Sequence, residues 1–428
     1  MDVRPLLLAE PLLKRASTAV YASEMNNILP IFAAAEQHAL GTASAAPGML
    51  LEARATMASQ PAASVLSGDV KNAFGSVLRR VMLAAVLWYC PNMAPMLLAL
   101  RGSRTVIHQR IGESFTITDG LWQGDMWSAA CFALAMLEIR KEVLSDVEKQ
   151  DLCSFVRFNA YLDDLLVFVS AAGIAGLIRC LSRVLAAAGL ELELSKSSVL
   201  VGSEPLQESI RESLVAAGIA FADGSLEVLG SELHDAEASV LSSTDSVVPA
   251  PVQRRLDSAL EMCDRLGGMM KAEVDRPPCP AVWATLRTSI NNCLSFDLAV
   301  VSPCVLNAIL KKLDAAVEAV FCVLVHTERL SPAERCQIQL HVSRGGFGLP
   351  SFRRRAAVVY ASTTLRLLPL LARRATTDPE WVAWERSAAT MQCMQYIHEQ
   401  WGLALDAQMN LVPMAAVPEW DAILHAVH

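Results

Sequence analysis

The chain has 428 residues, 53% of them hydrophobic, and a formal net charge of −8. This length is enough for two or three domains, and the apolar content is ample for a large core. Strong nucleic-acid binders are usually basic, so the acidic balance argues against that class of function. Much of the negative charge lies in residues 376–428, where seven acidic residues stand against a single base, Arg386.

Neither a membrane span nor a secretion signal is predicted. The mean hydropathy of +0.35 is high, but the longest apolar stretch, residues 81–100, is interrupted by Pro91 and Pro95. Asp2 and Arg4 precede only a brief apolar run, unlike a signal peptide. The eleven cysteines never occur at C-x-x-C spacing, so free thiols are expected rather than a zinc site. We therefore expect an intracellular protein, nuclear or cytoplasmic, with no membrane partner.

The N-terminal stretch, VRPLLLAEPLLKR, predicts a helix that carries basic residues near its middle. Arg4, Lys14 and Arg15 are candidates for holding phosphate groups. The alternative is that these three side chains form an ordinary solvated face.

The next informative stretch is ASVLSGDVKNAF, which continues into a long apolar pattern. A short strand is predicted around residues 64–66 and a helix over about 72–88, from the spacing of its apolar residues. Asp69 then lies at the end of a strand, where α/β proteins often place ligand-binding groups.

Residues 104–117 predict a β-hairpin, and the segment GLWQGDMWSAACFALA follows it. Asp125 and Ser128 can cap a helix that continues to about Lys149. Gly124 beside Gln123 at this helix start allows a ligand to approach the backbone closely. The alternative is an ordinary helix start.

Residues 155–170, FVRFNAYLDDLLVFVS, predict two strands joined at an acidic pair, Asp163 and Asp164. Two like charges about 4 Å apart repel by about 4 kcal/mol at an effective dielectric constant of about 20. Such a pair therefore needs solvent or a bound cation. The alternative is that both aspartates are plain turn residues.

Beyond this hairpin, a helix is predicted over about residues 172–188. The alternating segment GLELELSKSSVLVG predicts a half-buried strand with Lys196 near its turn, and LEVLGSEL predicts another short strand with Gly230 at a turn or bulge. After a boundary at residues 242–251 the pattern is helical, most clearly over 254–270, 306–325 and 354–371.

Taken together, these stretches resemble the motifs of a reverse transcriptase, in particular the non-LTR retrotransposon type. SGDVKNAF resembles the first catalytic motif, GLWQGDMWSAACFALA the second, AYLDD the third and GLELELSKSSVL the fourth. LEVLGSEL resembles the strand turn that grips the primer, and VRPLLLAEPLLKR resembles a fingers motif. QLHVSRGGFGLPS resembles a G-G-x-G-L element that often follows this kind of palm and thumb. The motifs occur in the family's order.

The resemblance implies an α+β fold of the polymerase right-hand type, whose palm is an antiparallel sheet backed by helices. Residues 1–60 would form partial fingers, and 61–241 would form the palm with the catalytic motifs. Residues 251–345 would form a helical thumb-like region, and 346–428 a helical, acidic C-terminal segment.

The resemblance also implies RNA-directed DNA synthesis by a two-metal-ion mechanism. The expected partners are an RNA template, a DNA primer and dNTPs, and the expected cofactor is a pair of Mg²⁺ ions, with Mn²⁺ as a substitute. Each motif carries expected site residues: Asp69, Asp163 and Asp164 as the catalytic carboxylates, Val70 with them as a metal ligand, Phe74 as the steric gate against ribose, Gln123 and Gly124 at the nucleotide or template, Lys196 at the pyrophosphate, and Arg4, Lys14 and Arg15 at the triphosphate or template.

The sequence departs from the family at several points. Met126 stands where the second motif usually has proline, the overall charge is acidic, and the chain starts inside the expected fingers. An endonuclease, zinc-knuckle or RNase H-like segment is not recognisable. These departures predict a truncated or decayed copy, and they support an alternative function as a catalytically inactive RNA-binding or scaffold protein. The alternative for Phe74 is a core position on an amphipathic helix.

Overall fold

The structure is a computed structural model that describes residues 11–41, 45–101, 106–108, 114–116, 119–121, 127–234, 248–272, 280–374, 403–405 and 411–413. The chain divides into two compact units, Met1–Leu229 with Leu233–Ala238, and Gly230–Glu232 with Ser239–His428. The four-segment division expected from the sequence stays a prediction.

The first unit combines a sheet with helices that pack against it. Its helices are α1 Pro11–Ala34, α2 Ala45–Ser59, α3 Ala73–Ser76, α4 Arg79–Tyr89, α5 Ala94–Arg101, α6 Ser128–Lys149, α7 Ile174–Ala187 and α8 Glu208–Ala216. The strands along the chain up to the second unit are β1 Ala63–Gly68, β2 Val106–His108, β3 Ser114–Thr116, β4 Val156–Tyr161, β5 Asp164–Ser170, β6 Ser198–Leu200, β7 Ala220–Phe221, β8 Ser225–Val228 and β9 Ser231–His234.

The main sheet has the strand order β4-β5-β1-β6-β7. β1 lies at its centre and pairs antiparallel with β5 on one side and with β6 on the other. β4 and β5 form an antiparallel hairpin, and only β6 and β7 run parallel. The prediction of an α+β fold with an antiparallel sheet backed by helices is confirmed at this level.

The core of the first unit lies where the sheet meets α6 and α7. Residues Ala130 to Leu137 of α6 are all buried, as expected of a helix that is apolar on every side. In β5, Leu165, Val167 and Val169 join the same apolar cluster. Leu166 and Phe168 are also buried, but on the opposite face of the strand, because successive side chains of a strand alternate.

The structure breaks the helix that the sequence predicts over residues 72–88. Val77 and Leu78, between α3 and α4, have extended backbone with ψ of 126°. The backbone N–H of Leu78 donates instead to the carbonyl of Ala188, at 2.9 Å. A contact distant in sequence therefore replaces a helical hydrogen bond, which local spacing of apolar residues does not reveal.

Two predicted strands also differ in detail. Of the segment predicted as one strand around Lys196, only β6 is a strand, and Leu194–Lys196 forms a single 3-10 turn. The segment predicted as a short strand with a turn or bulge at Gly230 is the hairpin β8–β9. Leu229 and Gly230 both have positive φ, 50° and 76°, as the tightest hairpin turns require.

The second unit is mainly helical. Its helices are α9 Ala250–Ala272, α10 Pro280–Thr288, α11 Asp297–Val300, α12 Pro303–Leu324, α13 Pro332–Gln339 and α14 Phe352–Arg374, and its last strands are β10 Leu403–Leu405 and β11 Leu411–Pro413. α12 packs against α9, α10 and α14. β10 and β11 pair antiparallel.

The glycine-rich loop between α13 and α14 folds back on itself. The N–H of Gly348 donates to the carbonyl of Leu340 at 2.9 Å. A Cβ at Gly346 would lie 2.1 Å from that carbonyl oxygen, so a side chain does not fit there. In the part of the chain that the structure describes, every helix is too short or too polar to cross a membrane.

Candidate active site

The acidic pair lies at the tip of the β4–β5 hairpin, as predicted. The last pair of the ladder joins Tyr161 to Asp164, so Leu162 and Asp163 form a two-residue turn. Leu162 has φ of 57°, a left-handed backbone that leucine rarely adopts and that tight hairpin turns require. The turn therefore fixes the direction of two adjacent carboxylates.

Asp69 is brought to the same place by the pairing of β1 with β5. The final pair of this ladder joins Gly68 to Leu165. Asp69 follows Gly68 and Asp164 precedes Leu165, so the next position of the ladder sets these two aspartates opposite each other. Opposed residues of antiparallel strands have Cα atoms about 4.5–5.5 Å apart. Their side chains lie on the face of Leu166 and Phe168, away from α6 and α7.

The electrostatics of the site agree with this placement. The pKa of Asp164 is raised from 3.8 to about 6, first by desolvation and then by the negative charges of Asp163 and Asp69. The Asp164 side chain is reached by solvent, but the protein atoms around it still remove part of its hydration. Asp69, which is distant in sequence from the adjacent pair Asp163 and Asp164, thus acts electrostatically on Asp164 in the folded chain.

The backbone of Asp69 is held from the β6 side of the sheet. Its N–H donates to the hydroxyl of Ser197 at 3.3 Å, and its carbonyl accepts from the N–H of Glu193 at 2.8 Å. Ser197 is fully buried, and its hydroxyl donates to the carbonyl of Glu193 at 2.9 Å. This small network orients the end of β1.

Lys196 lies beside Asp69, with 3.6 Å between its Nζ and the Oδ2 of the aspartate. Both side chains are well exposed, 67% and 40%. An exposed ion pair of this kind contributes at most about 1 kcal/mol. The ammonium group therefore neutralises part of the carboxylate charge without holding Asp69 tightly.

The predicted metal ligands fit a divalent cation by their chemistry. Carboxylate oxygens and a main-chain carbonyl are the donors that Mg²⁺ prefers. Val70 lies opposite Leu192 in an antiparallel bridge, and the hydrogen bonds of this bridge are made by the residues on either side of Val70. The carbonyl of Val70 itself therefore points away from the Leu192 segment. Among the described residues, however, no three His, Cys, Asp or Glu side chains converge closely enough to hold a metal as they stand.

Phe74 lies at the beginning of the short helix α3. Its ring stacks on Phe132 of α6, with centroids 4.6 Å apart and planes at 18°. Its carbonyl accepts from the N–H of Leu121, and the N–H of Gly120 donates to the carbonyl of Val77 at 3.0 Å. The start of the second motif is thereby fixed next to the first.

Gly120 permits this close approach, and Asn72 adopts a left-handed backbone just before α3. Gly120 has φ of 79°, and a Cβ there would lie 2.2 Å from the carbonyl oxygen of Gly75. Asn72 has φ of 43° and ψ of 41°, and asparagine tolerates this left-handed backbone better than most residues. The asparagine of the first motif thus has a conformational role.

Several predicted site residues cannot be placed. Arg4, Gln123 and Gly124, as well as Met126, lie outside the described residues, and so does the side chain of Lys14. Arg15 is exposed on α1. The structure brings together Asp69, Val70, Asp163, Asp164 and Lys196, with Phe74 on the helix that follows Val70.

Sequence reasoning missed two residues that support the site. Ser197 adjoins the predicted Lys196, so the fourth motif contained a usable signal. Gln37 accepts a hydrogen bond from the N–H of Leu162 at 3.0 Å, and nothing in its own sequence surroundings indicated this role.

Comparison with known proteins finds distant structural likeness only. No protein-family profile matches the sequence, and no curated protein matches it. A telomerase of Candida albicans in complex with a TWJ fragment of telomeric RNA is 11% identical with a TM-score of 0.44, covering 90% of this chain and 61% of that one. An apo telomerase of Candida tropicalis is 11% identical with a TM-score of 0.42, covering 86% and 61%.

The chain thus spans about three fifths of the length of these telomerase chains. A Candida tropicalis telomerase in complex with the same kind of RNA fragment is 10% identical, with a TM-score of 0.39. Likeness this distant assigns neither a family nor a function. Any catalytic activity therefore has to follow from the arrangement of the chain's own residues. A retrotransposon origin stays a prediction.

Proposed function

We propose that this chain is an RNA-directed DNA polymerase of the reverse-transcriptase type, with the β4-β5-β1-β6 sheet as its palm. The observation that carries the proposal is the meeting of Asp69 with Asp163 and Asp164 at neighbouring strand ends. The order of the sequence motifs supports it, as does the raised pKa of Asp164, because clustered carboxylates favour a bound cation. The same motif order supports a non-LTR retrotransposon origin.

Asp69, the carbonyl of Val70, Asp163 and Asp164 would hold two Mg²⁺ ions, or Mn²⁺ in their place. When bound, such ions stabilise the attacking and leaving oxygens of a nucleotidyl transfer. The exposed Lys196–Asp69 ion pair is weak, so it opposes cation binding only slightly. Lys196 would then act on the leaving pyrophosphate through its positive charge.

The remaining predicted residues select and orient the substrates. Phe74 would exclude a ribose 2′-hydroxyl from the sugar position. Gln123 and Gly124 would contact the incoming dNTP or the template, and Arg4, Lys14 and Arg15 the triphosphate or the RNA template. A DNA primer supplies the 3′-hydroxyl that attacks the α-phosphate.

The test is primer extension on an RNA template by the purified chain with dNTPs and Mg²⁺. We expect incorporation by the wild type and its loss, by at least about a hundredfold, in Asp163→Asn, because a ligand of the cation is removed. Asp223→Asn, an exposed aspartate of the same unit, is the matched control and should retain activity. A folded wild-type chain that incorporates nothing under these conditions contradicts the proposal.

Two observations favour a second function. Among the described residues the three carboxylates do not converge into a metal cluster, and Lys196 pairs with Asp69. Both fit a catalytically inactive RNA-binding or scaffold protein. This alternative predicts RNA binding that is unchanged in Asp163→Asn and independent of Mg²⁺, so loss of RNA binding in that variant argues against it.

A further inference from the structure

The residues that follow α1 lie along the outer edge of the catalytic hairpin. β4 is the edge strand of the main sheet, and Gln37 forms a parallel bridge with Ala160 of this strand. The N–H of Ala160 donates to the carbonyl of Glu36 at 3.1 Å, and the N–H of His38 donates to the carbonyl of Ala160 at 2.9 Å. This bridge lies two residues before the acidic turn.

The side chain of Gln37 continues from this bridge to the turn itself. Its Oε1 accepts from the N–H of Leu162 at 3.0 Å and from the N–H of Ala39 at 3.3 Å. Gln37 is only 4% exposed, so water competes little for these bonds. An N–H in a two-residue turn has no partner in the hairpin ladder, and it needs an acceptor from elsewhere.

Leu162 is the residue at which the turn is strained. A left-handed backbone is unfavourable for a non-glycine residue and persists only where its surroundings enforce it. The Leu162 side chain packs against the main apolar cluster, which supplies one constraint. The buried acceptor on Gln37 supplies a second, acting on the backbone of the residue that precedes Asp163.

Gln37 is itself held by charged neighbours on both sides. Glu36 forms ion pairs with Arg157 at 3.1 Å and with Arg140 at 3.2 Å. The Nε2 of His38 lies 3.3 Å from a carboxylate oxygen of Glu52, and both side chains are buried. The amide oxygen of Gln37 therefore has a fixed position relative to β4.

We propose that Gln37 is a positioning residue for the catalytic turn. By accepting from the N–H of Leu162 it selects the one turn geometry that presents Asp163 and Asp164 beside Asp69. The catalytic consequence rests on the proposed polymerase function, whereas the effect on the turn does not.

The first experiment measures hydrogen exchange at the Leu162 amide by mass spectrometry with residue-level fragmentation. Gln37→Met keeps the length of the side chain and removes its strong acceptor. We expect the Leu162 amide to exchange at least about tenfold faster, because a buried hydrogen bond is lost. The amides of Leu165 and Leu166 within β5 should be unchanged.

The matched control is Thr56→Val. Thr56 is buried and accepts from Arg157 at 3.1 Å, so this change loosens the same charged neighbourhood without touching the turn. Exchange at Leu162 should stay at the wild-type rate in this variant. Should Gln37→Met fail to fold, Gln37→Asn, whose amide is one methylene too short to reach Leu162, takes its place.

The second experiment separates positioning from general stability by kinetics. We expect Gln37→Met to lower kcat at least about tenfold while KM for the primer–template stays the same, because only the carboxylates are misplaced.

The outcomes are distinct. Wild-type exchange at Leu162 in both Gln37→Met and Gln37→Asn overturns the proposal, whatever the activity. Equal acceleration in Thr56→Val also overturns it, since the effect would then come from general loosening. If the wild-type chain incorporates no nucleotide, the polymerase function fails while the exchange rates still decide the role of Gln37.

Discussion

At the scale of single residues, Asp164 shows how the site opposes the stability of the fold. Its pKa is raised from 3.8 to about 6 by desolvation and by the charges of Asp163 and Asp69. The folded chain therefore binds this proton more tightly than the unfolded chain does. Between about pH 4 and pH 6 this group makes the protein less stable as the pH rises, and at neutral pH the charged carboxylate opposes folding.

Replacing Asp164 by asparagine should consequently stabilise the cation-free protein. We expect the Tm at pH 7.5 to rise by about 2 °C. The rise is modest because solvent reaches Asp164 and screens its repulsion by the other two carboxylates. The gain should vanish near pH 4, where the wild-type carboxyl is protonated as well. Thermal unfolding of both proteins across this pH range is the measurement, and a gain that persists at low pH would contradict the explanation.

Phe74 packs inside the first unit, and the proposed function would give it a second role in selecting the sugar. Its stacking on Phe132 means that Phe74→Ala should lose some stability and, under the proposed function, should also admit ribonucleotides. We expect the preference for dNTPs over rNTPs to fall at least about tenfold in primer extension.

The control for this change is Phe221→Ala, a partly buried phenylalanine on β7. It should lose stability without changing sugar selection. If Phe74→Ala is destabilised but discriminates as the wild type does, Phe74 is a core residue and the gate assignment is wrong.

At the scale of elements, the contact of α2 with β4 depends on a buried group of charges. Arg157 donates to Glu52 and to Glu36, and to the hydroxyl of Thr56. Glu52 is only 2% exposed, so the loss of the arginine would leave a buried carboxylate poorly compensated.

We therefore expect Arg157→Leu to lower the free energy of unfolding by about 3 kcal/mol, as measured by urea denaturation. Lys71→Ala is the comparison, because the Lys71–Glu191 pair is exposed, at 55% and 71%. It should cost less than about 1 kcal/mol. Equal losses in the two variants would show that the position of Arg157 in the interior is unimportant.

At the scale of the whole molecule, the net negative charge argues against binding to nucleic acid, but the charge is unevenly distributed along the chain. The chain carries −8 in total, yet residues 339–374 contain seven arginines and no acidic residue. Arg344, Arg353 and Arg354 are exposed, and the described side-chain hydrogen bonds of Arg353 and Arg354 go to the amides of Asn307 and Gln339. An acidic protein can thus still present a basic surface to a phosphate backbone.

Reversing the charge of Arg353 and Arg354 to glutamate should weaken RNA binding at least about tenfold at low salt. If each arginine neutralises one phosphate of single-stranded RNA, the negative slope of log K against log salt should become shallower by about 1.4. Titrations by fluorescence anisotropy at several salt concentrations measure both quantities. The double change of Arg179 and Arg183 to glutamate, two exposed residues of α7, is the control, and an equal loss there would indicate a nonspecific effect of net charge.

Local sequence was sufficient where a feature depends on neighbouring residues. The acidic turn between two strands, the strand that ends before Asp69 and the helix from Ser128 to Lys149 all follow from apolar spacing and turn residues. The break at Val77 and Leu78 did not follow, because the competing hydrogen bond comes from Ala188.

The sequence by itself determined which carboxylates, which lysine and which aromatic residue are candidates for the site, through motifs that each lie within a few residues. Only the tertiary structure decided that β1 pairs with β5, which sets Asp69 beside Asp164, and that Gln37 reaches Leu162 across 125 positions of the chain. Strand pairing and buried hydrogen bonds join residues distant in sequence, and local propensities contain no information about such partners.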